Sequence, residues 1–190
     1  MLRMTNGVTI ETLSNQIKIA FTQRVLDSRD ELLYPERFDK LIDDISRWLL
    51  NGDKYRNLLL YGGVGIGKTT CLRSVVDVLT NTKMFGYIAF FSANSMVSEQ
   101  FVNSDGWRIA TTYPLIFIDD IGTEQSDFKI YGTGITPIKT IIEERYLHKL
   151  PIVATTNLSF DEFGDRYGTR VMDRIKEYDV LKVNINQSLR

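Results

Sequence analysis

The sequence predicts an α/β fold: a five-stranded, mostly parallel sheet sandwiched by helices. Three observations carry that expectation. Short runs of β-forming apolar residues recur at Leu58–Tyr61, Tyr87–Phe91, Leu115–Ile118, Ile152–Thr155 and Val180–Ile185, with helical patterns between them. The runs have little polar alternation, as in parallel strands buried on both faces, except the fifth, which alternates and ends the domain. A glycine-rich stretch lies where the first run passes into a helix, and hydrophobic residues make up 43% of 190, enough for a packed core.

In chain order, residues 1–35 are expected to form a helical appendage and residues 36–190 the core domain. Ile10, Leu13, Ile17 and Ala20 form a narrow amphipathic stripe, which docks on a partner or, since short isolated helices are marginal, on its own domain. Tyr34-Pro35-Glu36-Arg37-Phe38 reads as a break. A second helix carries Phe38, Leu41, Ile42, Ile45, Trp48 and Leu49 on one side and ends at Asn51-Gly52-Asp53. After the first strand, Leu72, Val75, Val76 and Leu79 mark a helix face. Ala93, Met96, Val97 and Phe101 suggest a short helix after the second strand. Ile135, Ile138, Ile142 and Tyr146 mark another helix after the third, with Pro137 in its first turn. Arg166 to Ile175 reads as one helix after the fourth. Such alternation implies a sheet covered on both faces, with ligands at the carboxyl ends of the strands.

Composition limits the function classes. Lys+Arg is 23 and Asp+Glu 24, so no global basic field holds nucleic acid. A DNA contact must then be local, or built by several subunits. No apolar stretch is long enough to span a bilayer, and Met1–Asn6 lacks the apolar core of a signal peptide. The single cysteine, Cys71, excludes an internal disulfide or a cysteine-rich zinc site and reads as a small core residue. A cytoplasmic location and no membrane partner are expected.

The glycine-rich stretch Gly62-Gly63-Val64-Gly65-Ile66-Gly67-Lys68-Thr69-Thr70 fits the phosphate-loop pattern G-x-x-x-x-G-K-[ST]. Its glycines permit positive φ and close approach of the backbone. Successive N–H groups and the N-terminus of the next helix favour an anion. Lys68 brings a cation to the outer phosphates, and the Thr69 hydroxyl can ligate Mg²⁺. A Gly-rich turn that merely contains a lysine lacks the preceding strand and following helix.

The third apolar run passes into Asp119-Asp120. An acid at the end of a buried strand beside a phosphate loop holds Mg²⁺, the role expected of Asp119, with Asp120 placed to orient or deprotonate the attacking water. The fourth run ends in Thr155-Thr156-Asn157. Asn157 is either a turn residue or a group that reaches the γ-phosphate or the water. Arg166, Arg170 and Arg174 are spaced to share one helix face. They are either a solvated basic face paired with Asp165, Asp173 or Glu177, or the source of an arginine that reaches a neighbouring subunit's nucleotide. His148, the lone histidine, cannot form a metal cluster and is given no chemistry.

Taken together, these motifs resemble the DnaC/DnaI-type helicase loaders, a branch of the AAA+ ATPases. Leu58 to Thr69 resembles their Walker A segment, Ile118-Asp119-Asp120-Ile121-Gly122-Thr123-Glu124 their Walker B segment, and Thr155-Thr156-Asn157-Leu158-Ser159 their sensor 1 strand end. Arg166 to Ile175 resembles the helix bearing the arginine finger, and Ser188-Leu189-Arg190 the usual end. The resemblance implies that Asn157 is sensor 1 and that Arg170 acts in trans with Arg174 as its helper. It implies ATP and Mg²⁺ as cofactors and homo-oligomers on ATP binding. Its partners are then a replicative helicase and single-stranded DNA. DNA contacts in the family fall after the second strand, here 94–107, where Phe101, Trp107 and Arg108 are the candidates; alternatively Phe101 packs in the core and Trp107 covers the sheet. Asp120 stands where AAA+ proteins more often have Glu, which suggests slow turnover. With the chain stopping at Arg190, no separate C-terminal helical lid is expected.

Other functions fit parts of the pattern. An IstB-like ATPase assisting a transposase shares every motif. A small P-loop kinase needs an acceptor pocket and a closing lid, and leaves Asn157 and Arg170 without a purpose. A nucleotide-binding module that never hydrolyses is compatible with Asp120.

Overall fold

The structure, a computed structural model, describes residues 7–28, 38–50, 57–126, 129–130, 133–134 and 136–183. The expected break at Tyr34–Arg37, the helix stop at Asn51-Gly52-Asp53, Ile135 and the closing Ser188-Leu189-Arg190 lie outside these residues. Two compact units are distinguished, one of residues 1–54, 63–86 and 183–190 and one of residues 55–62 and 87–182.

The first unit contains α1 (Ile10–Ser28), α2 (Asp39–Leu50) and α3 (Lys68–Thr82). Helix α1 packs on both α2 and α3. Its buried stripe is Leu13, Ile17, Phe21 and Val25. That stripe runs farther along the helix than the one read from sequence, and Ile10 at the start of the expected stripe is exposed. Phe21 meets Phe38 with ring centroids 4.4 Å apart. Polar ties frame the contact: Ser14 Oγ donates to Asp43, the Lys18 ammonium stands 2.9 Å from the same carboxylate, and Arg24 pairs with Asp77. On α3, Leu72, Val75 and Leu79 are buried as expected, together with Cys71 and Val78. Burial pushes the Cys71 thiol up to about 12, so it stays protonated and serves as a packing residue.

The second unit holds the whole sheet. Its strands are β1 (Leu58–Tyr61), β2 (Ile88–Ser92), β3 (Leu115–Ile121), β6 (Ile152–Thr156) and β7 (Asp179–Lys182), in the order β2-β3-β6-β1-β7. Every pairing in it is parallel, and helices flank the sheet. The short strands β4 (Lys129–Ile130) and β5 (Thr133–Gly134) form a separate antiparallel pair. The unit's helices are α4 (Ala93–Met96), α5 (Glu99–Val102), α6 (Asp105–Thr112), α7 (Pro137–Leu147), α8 (Phe160–Tyr167) and α9 (Thr169–Lys176). Asn57 staples the start of β1 to both neighbours: its side-chain carbonyl accepts from Ile152 N at 2.8 Å and its main-chain carbonyl from Asp179 N at 2.9 Å. One core cluster joins Leu59, Ile116, Ile118 and Ala154 of the strands to Ile138, Ile141 and Ile142 of α7 and to Phe163, Val171 and Ile175. No helix among the described residues is long and apolar enough to cross a membrane.

Three local expectations need correction. The segment after β2 forms three short helices rather than one, each opened by a serine, Ser92, Ser98 or Ser104, whose hydroxyl accepts from a first-turn N–H. The helix expected from Arg166 to Ile175 is two helices, divided at Gly168 with φ 86°. Glycine enters this left-handed region freely and stops α8, which opens with a Ser159–Glu162 capping box. Arg166 therefore does not share a helix face with Arg170 and Arg174. The last strand ends at Lys182, and residues 184–185 of the expected run lie outside the described residues.

Candidate functional site

In the first unit, the phosphate-loop segment has the backbone its sequence calls for. Gly65 and Gly67 adopt φ 78° and 91°, conformations that favour glycine. Gly67 is the N-cap of α3, so Lys68, Thr69 and Thr70 form its first turn. The loop places Gly63 and Val64 outward and buries Ile66. The Lys68 side chain is also buried and folds back, its ammonium donating to the Gly63 carbonyl at 2.7 Å. A cation is thus held along a glycine-rich main chain at the N-terminus of a helix, a setting that suits phosphate.

In the second unit, the sheet brings four of the predicted residues to one rim. Gly62, the first residue after β1, donates its N–H to the Thr156 carbonyl at 3.3 Å. Asn157 directly follows β6, which lies between β1 and β3. Asp119 and Asp120 occupy the carboxyl end of β3, where the ladder with β6 is irregular. Ile118 pairs with Ala154 and Ile121 with Thr156, so two acids oppose the single residue Thr155. Such a bulge re-aims side chains at the end of a strand. Asp119 is buried, while Asp120 is half-buried and sits at φ 57°, a left-handed conformation uncommon outside glycine, asparagine and aspartate. Thr123 reinforces the turn, its N–H and hydroxyl both donating to the Asp120 carbonyl, at 3.1 and 2.9 Å.

The turn leads to a group that the sequence reading did not single out. Glu124 is buried, and its Oε2 accepts from Gly122 N at 2.8 Å. Its Oε1 accepts from the Tyr167 hydroxyl and from Arg166 Nε at 3.2 Å, and Arg166 Nη2 also donates to the Glu124 main-chain carbonyl. Gly122 at φ 103° fits closely against Leu158, since a Cβ there would lie 2.4 Å from a leucine methyl. Burial, with the Glu124 charge next in weight, raises the Tyr167 phenol far above its ordinary range. Arg166 is thus committed within its own chain. Replacing Glu124 with Gln keeps the volume but removes the charge that Arg166 and Tyr167 share. Glu124→Gln is expected to cost about 2 kcal/mol of folding stability. Urea unfolding of the two proteins checks it, and equal midpoints would show that the network adds nothing net.

The remaining arginines differ. Arg170 is exposed and stands 3.5 Å from a Glu143 carboxylate, an ion pair of the kind that contributes little. Arg174 lies with its guanidinium 3.7 Å from the centre of the Tyr146 ring and 3.8 Å from Glu177. In the segment after β2, Phe101 is buried and makes edge contacts with Phe91 and Trp107, so this pair is part of the core cluster and its margin. Arg108 pairs with Asp105 at 3.1 Å on the surface.

No protein-family model matches the sequence, and no curated protein matches it. Solved structures do match. A structure of the DnaC helicase loader aligns with a TM-score of 0.63 over 86% of this chain and 98% of that one, at 18% identity. A structure of DnaI gives 0.61 over 80% and 83%, at 17% identity. The chain has the fold of these DnaC and DnaI structures. The replication initiator DnaA, bound to AMPPCP and single-stranded DNA, aligns at 0.57 with 18% identity over 78% of this chain. The match spans 47% of that DnaA chain, about half its length.

Proposed function

We propose that the chain is a Mg²⁺-dependent ATPase of DNA replication that oligomerises on ATP and acts with a replicative helicase on single-stranded DNA. The loop carries the reading: Gly65 and Gly67 at positive φ, with Lys68 folded onto the Gly63 carbonyl at the head of α3. The DnaC neighbour is a helicase loader, and the DnaA neighbour holds an ATP analogue and single-stranded DNA. In this reading the backbone of Gly62 to Thr70 holds the phosphates, and Lys68 neutralises them. The Thr69 hydroxyl and the Asp119 carboxylate are hard oxygen donors of the kind Mg²⁺ takes. When bound, the ion supplies charge stabilisation at the phosphoryl oxygens. Asp120 orients the attacking water, and Asn157 contacts it or the γ-phosphate. Arg170 is presented to a neighbouring copy, with Arg174 as its helper.

The test uses concentration. Turnover per subunit is expected to rise as the protein is concentrated, and Arg170→Ala to lose turnover by about 100-fold or more while binding AMPPCP normally. Release of the Glu143 pair costs little because the Arg170 side chain is exposed and the contact is long, at 3.5 Å. Equal specific activity at every dilution, with Arg170→Ala unaffected, would falsify the oligomeric reading and leave a monomeric ATPase. Recovery of the replicative helicase with an Asp120→Asn protein loaded with ATP, but not with a Lys68→Ala protein, tests the partner.

A further inference from the structure

One hydroxyl lies where the two acids of β3 meet the neighbouring strand. Thr155 is fully buried on β6. Its Oγ1 donates to Asp119 Oδ1 at 2.7 Å and accepts from Asp120 N at 2.8 Å. A threonine hydroxyl has one proton and two lone pairs, so a single group satisfies a carboxylate and an amide together. The two bonds act at the bulge, where regular pairing is interrupted between Ile118 and Ile121. The Asp120 amide is thereby turned toward a side chain, and the residue takes its φ of 57°.

We propose that Thr155 is a positioning residue for ATP turnover, holding Asp119 by its carboxylate and Asp120 by its main chain so that both side chains point in their working directions. The proposal rests on the ATPase reading above. Rotation of the Asp119 carboxylate about its last bond is restrained by the 2.7 Å contact. The direction of the Asp120 side chain follows from its backbone, which the second contact fixes. Threonine at this point therefore acts on the donor set for the metal and on the group that orients water, without itself touching nucleotide. Valine has nearly the same shape and none of this chemistry. Serine keeps both bonds.

The experiment compares wild type, Thr155→Val and Thr155→Ser in the full chain, by steady-state ATP hydrolysis across a Mg²⁺ titration. Affinity for AMPPCP is measured separately in excess EDTA, and thermal unfolding serves as a control. Thr155→Val is expected to lose about 100-fold in kcat, because small misplacements of catalytic groups have effects of that size. Its half-saturating Mg²⁺ should rise severalfold while metal-free analogue affinity stays within about twofold. Thr155→Ser should remain within a few fold of wild type on every measure. Unchanged kcat and Mg²⁺ dependence in Thr155→Val would overturn the assignment. So would a uniform loss in which metal-free affinity falls with turnover, since that marks a structural role. If the valine variant does not fold, Thr155→Ala replaces it and the same split decides. No hydrolysis by wild type would overturn the ATPase reading itself and take the positioning role with it, whereas a hydrolysing wild type confines any failure to Thr155.

Discussion

Lys68→Ala is expected to lower ATP turnover by about 100- to 1,000-fold, the range for removing one preorganised charged donor from a transition state. Analogue affinity should fall by roughly tenfold or more, or about 1.4 kcal/mol at least. The lysine is buried and its ammonium donates to the Gly63 carbonyl at 2.7 Å, so its charge is held along the loop rather than waving in solvent. That arrangement lets it meet an anion with little loss of side-chain freedom. Alanine removes the charge and the tie to Gly63 together, while Gly65 and Gly67 retain the loop's unusual backbone. Phosphate release and calorimetric titration with AMPPCP check the two numbers. Turnover and affinity equal to wild type would remove the phosphate-loop reading, however well the spacing fits.

Arg145→Ala is expected to be the most destabilising single change described for this chain, at about 3–5 kcal/mol. Arg145 is fully buried, and its guanidinium serves three main-chain carbonyls: Nη1 donates to Ala110 O and Tyr113 O, both at 2.9 Å, and Nη2 to Pro151 O at 2.7 Å. These carbonyls end α6, open the approach to β3 and precede β6, so one side chain fastens three segments. Burial lowers the pKa to about 10, which leaves the group charged at neutral pH. Alanine strands the carbonyls and opens a cavity. Arg145→Met fills most of the space without donating, so comparing the two by urea unfolding separates the terms. The methionine variant should recover less than half of the loss. A methionine variant as stable as wild type would show that the three bonds only balance the desolvation of the charge.

The contrast between Arg145 and the phosphate loop explains what the sequence could show. The loop depends on residue types at fixed short spacing, and the strands on local runs such as Leu115 to Ile118, so both were legible. Asp119 and Asp120 were legible as acids at a strand end, but the bulge that turns them was not. It depends on Thr155 of a strand 35 positions away. Arg145 breaks the apolar stripe of α7, and nothing in its own helix tells that three distant carbonyls await it. Glu124 lies within the motif that begins at Ile118, yet its partners Arg166 and Tyr167 come from α8, 42 and 43 residues on. The division at Gly168 had a local signal that helical periodicity overrode: a glycine after Tyr167, following the Ser159–Glu162 capping pair. In α1, the buried stripe advances four residues at a time through Leu13, Ile17, Phe21 and Val25, whereas the 3, 4, 3 spacing of Ile10, Leu13, Ile17 and Ala20 leads away from Phe21.

The strand order also bears on how the chain is made. β1 belongs to the first third of the sequence, but its neighbours in the sheet are β6 and β7. The Asn57 side chain finds its partner, Ile152 N, only 95 residues later. At about 5–20 residues per second, a ribosome needs roughly 5–20 s to supply that partner. The β2–β3 pair can form within that interval, but β1, the strand that feeds the phosphate loop, must wait unpaired for the far end of the domain. An ordered β1 is therefore expected only once residues 152–182 have been supplied, and a product that stops before them has no paired strand to lead into the glycine-rich loop.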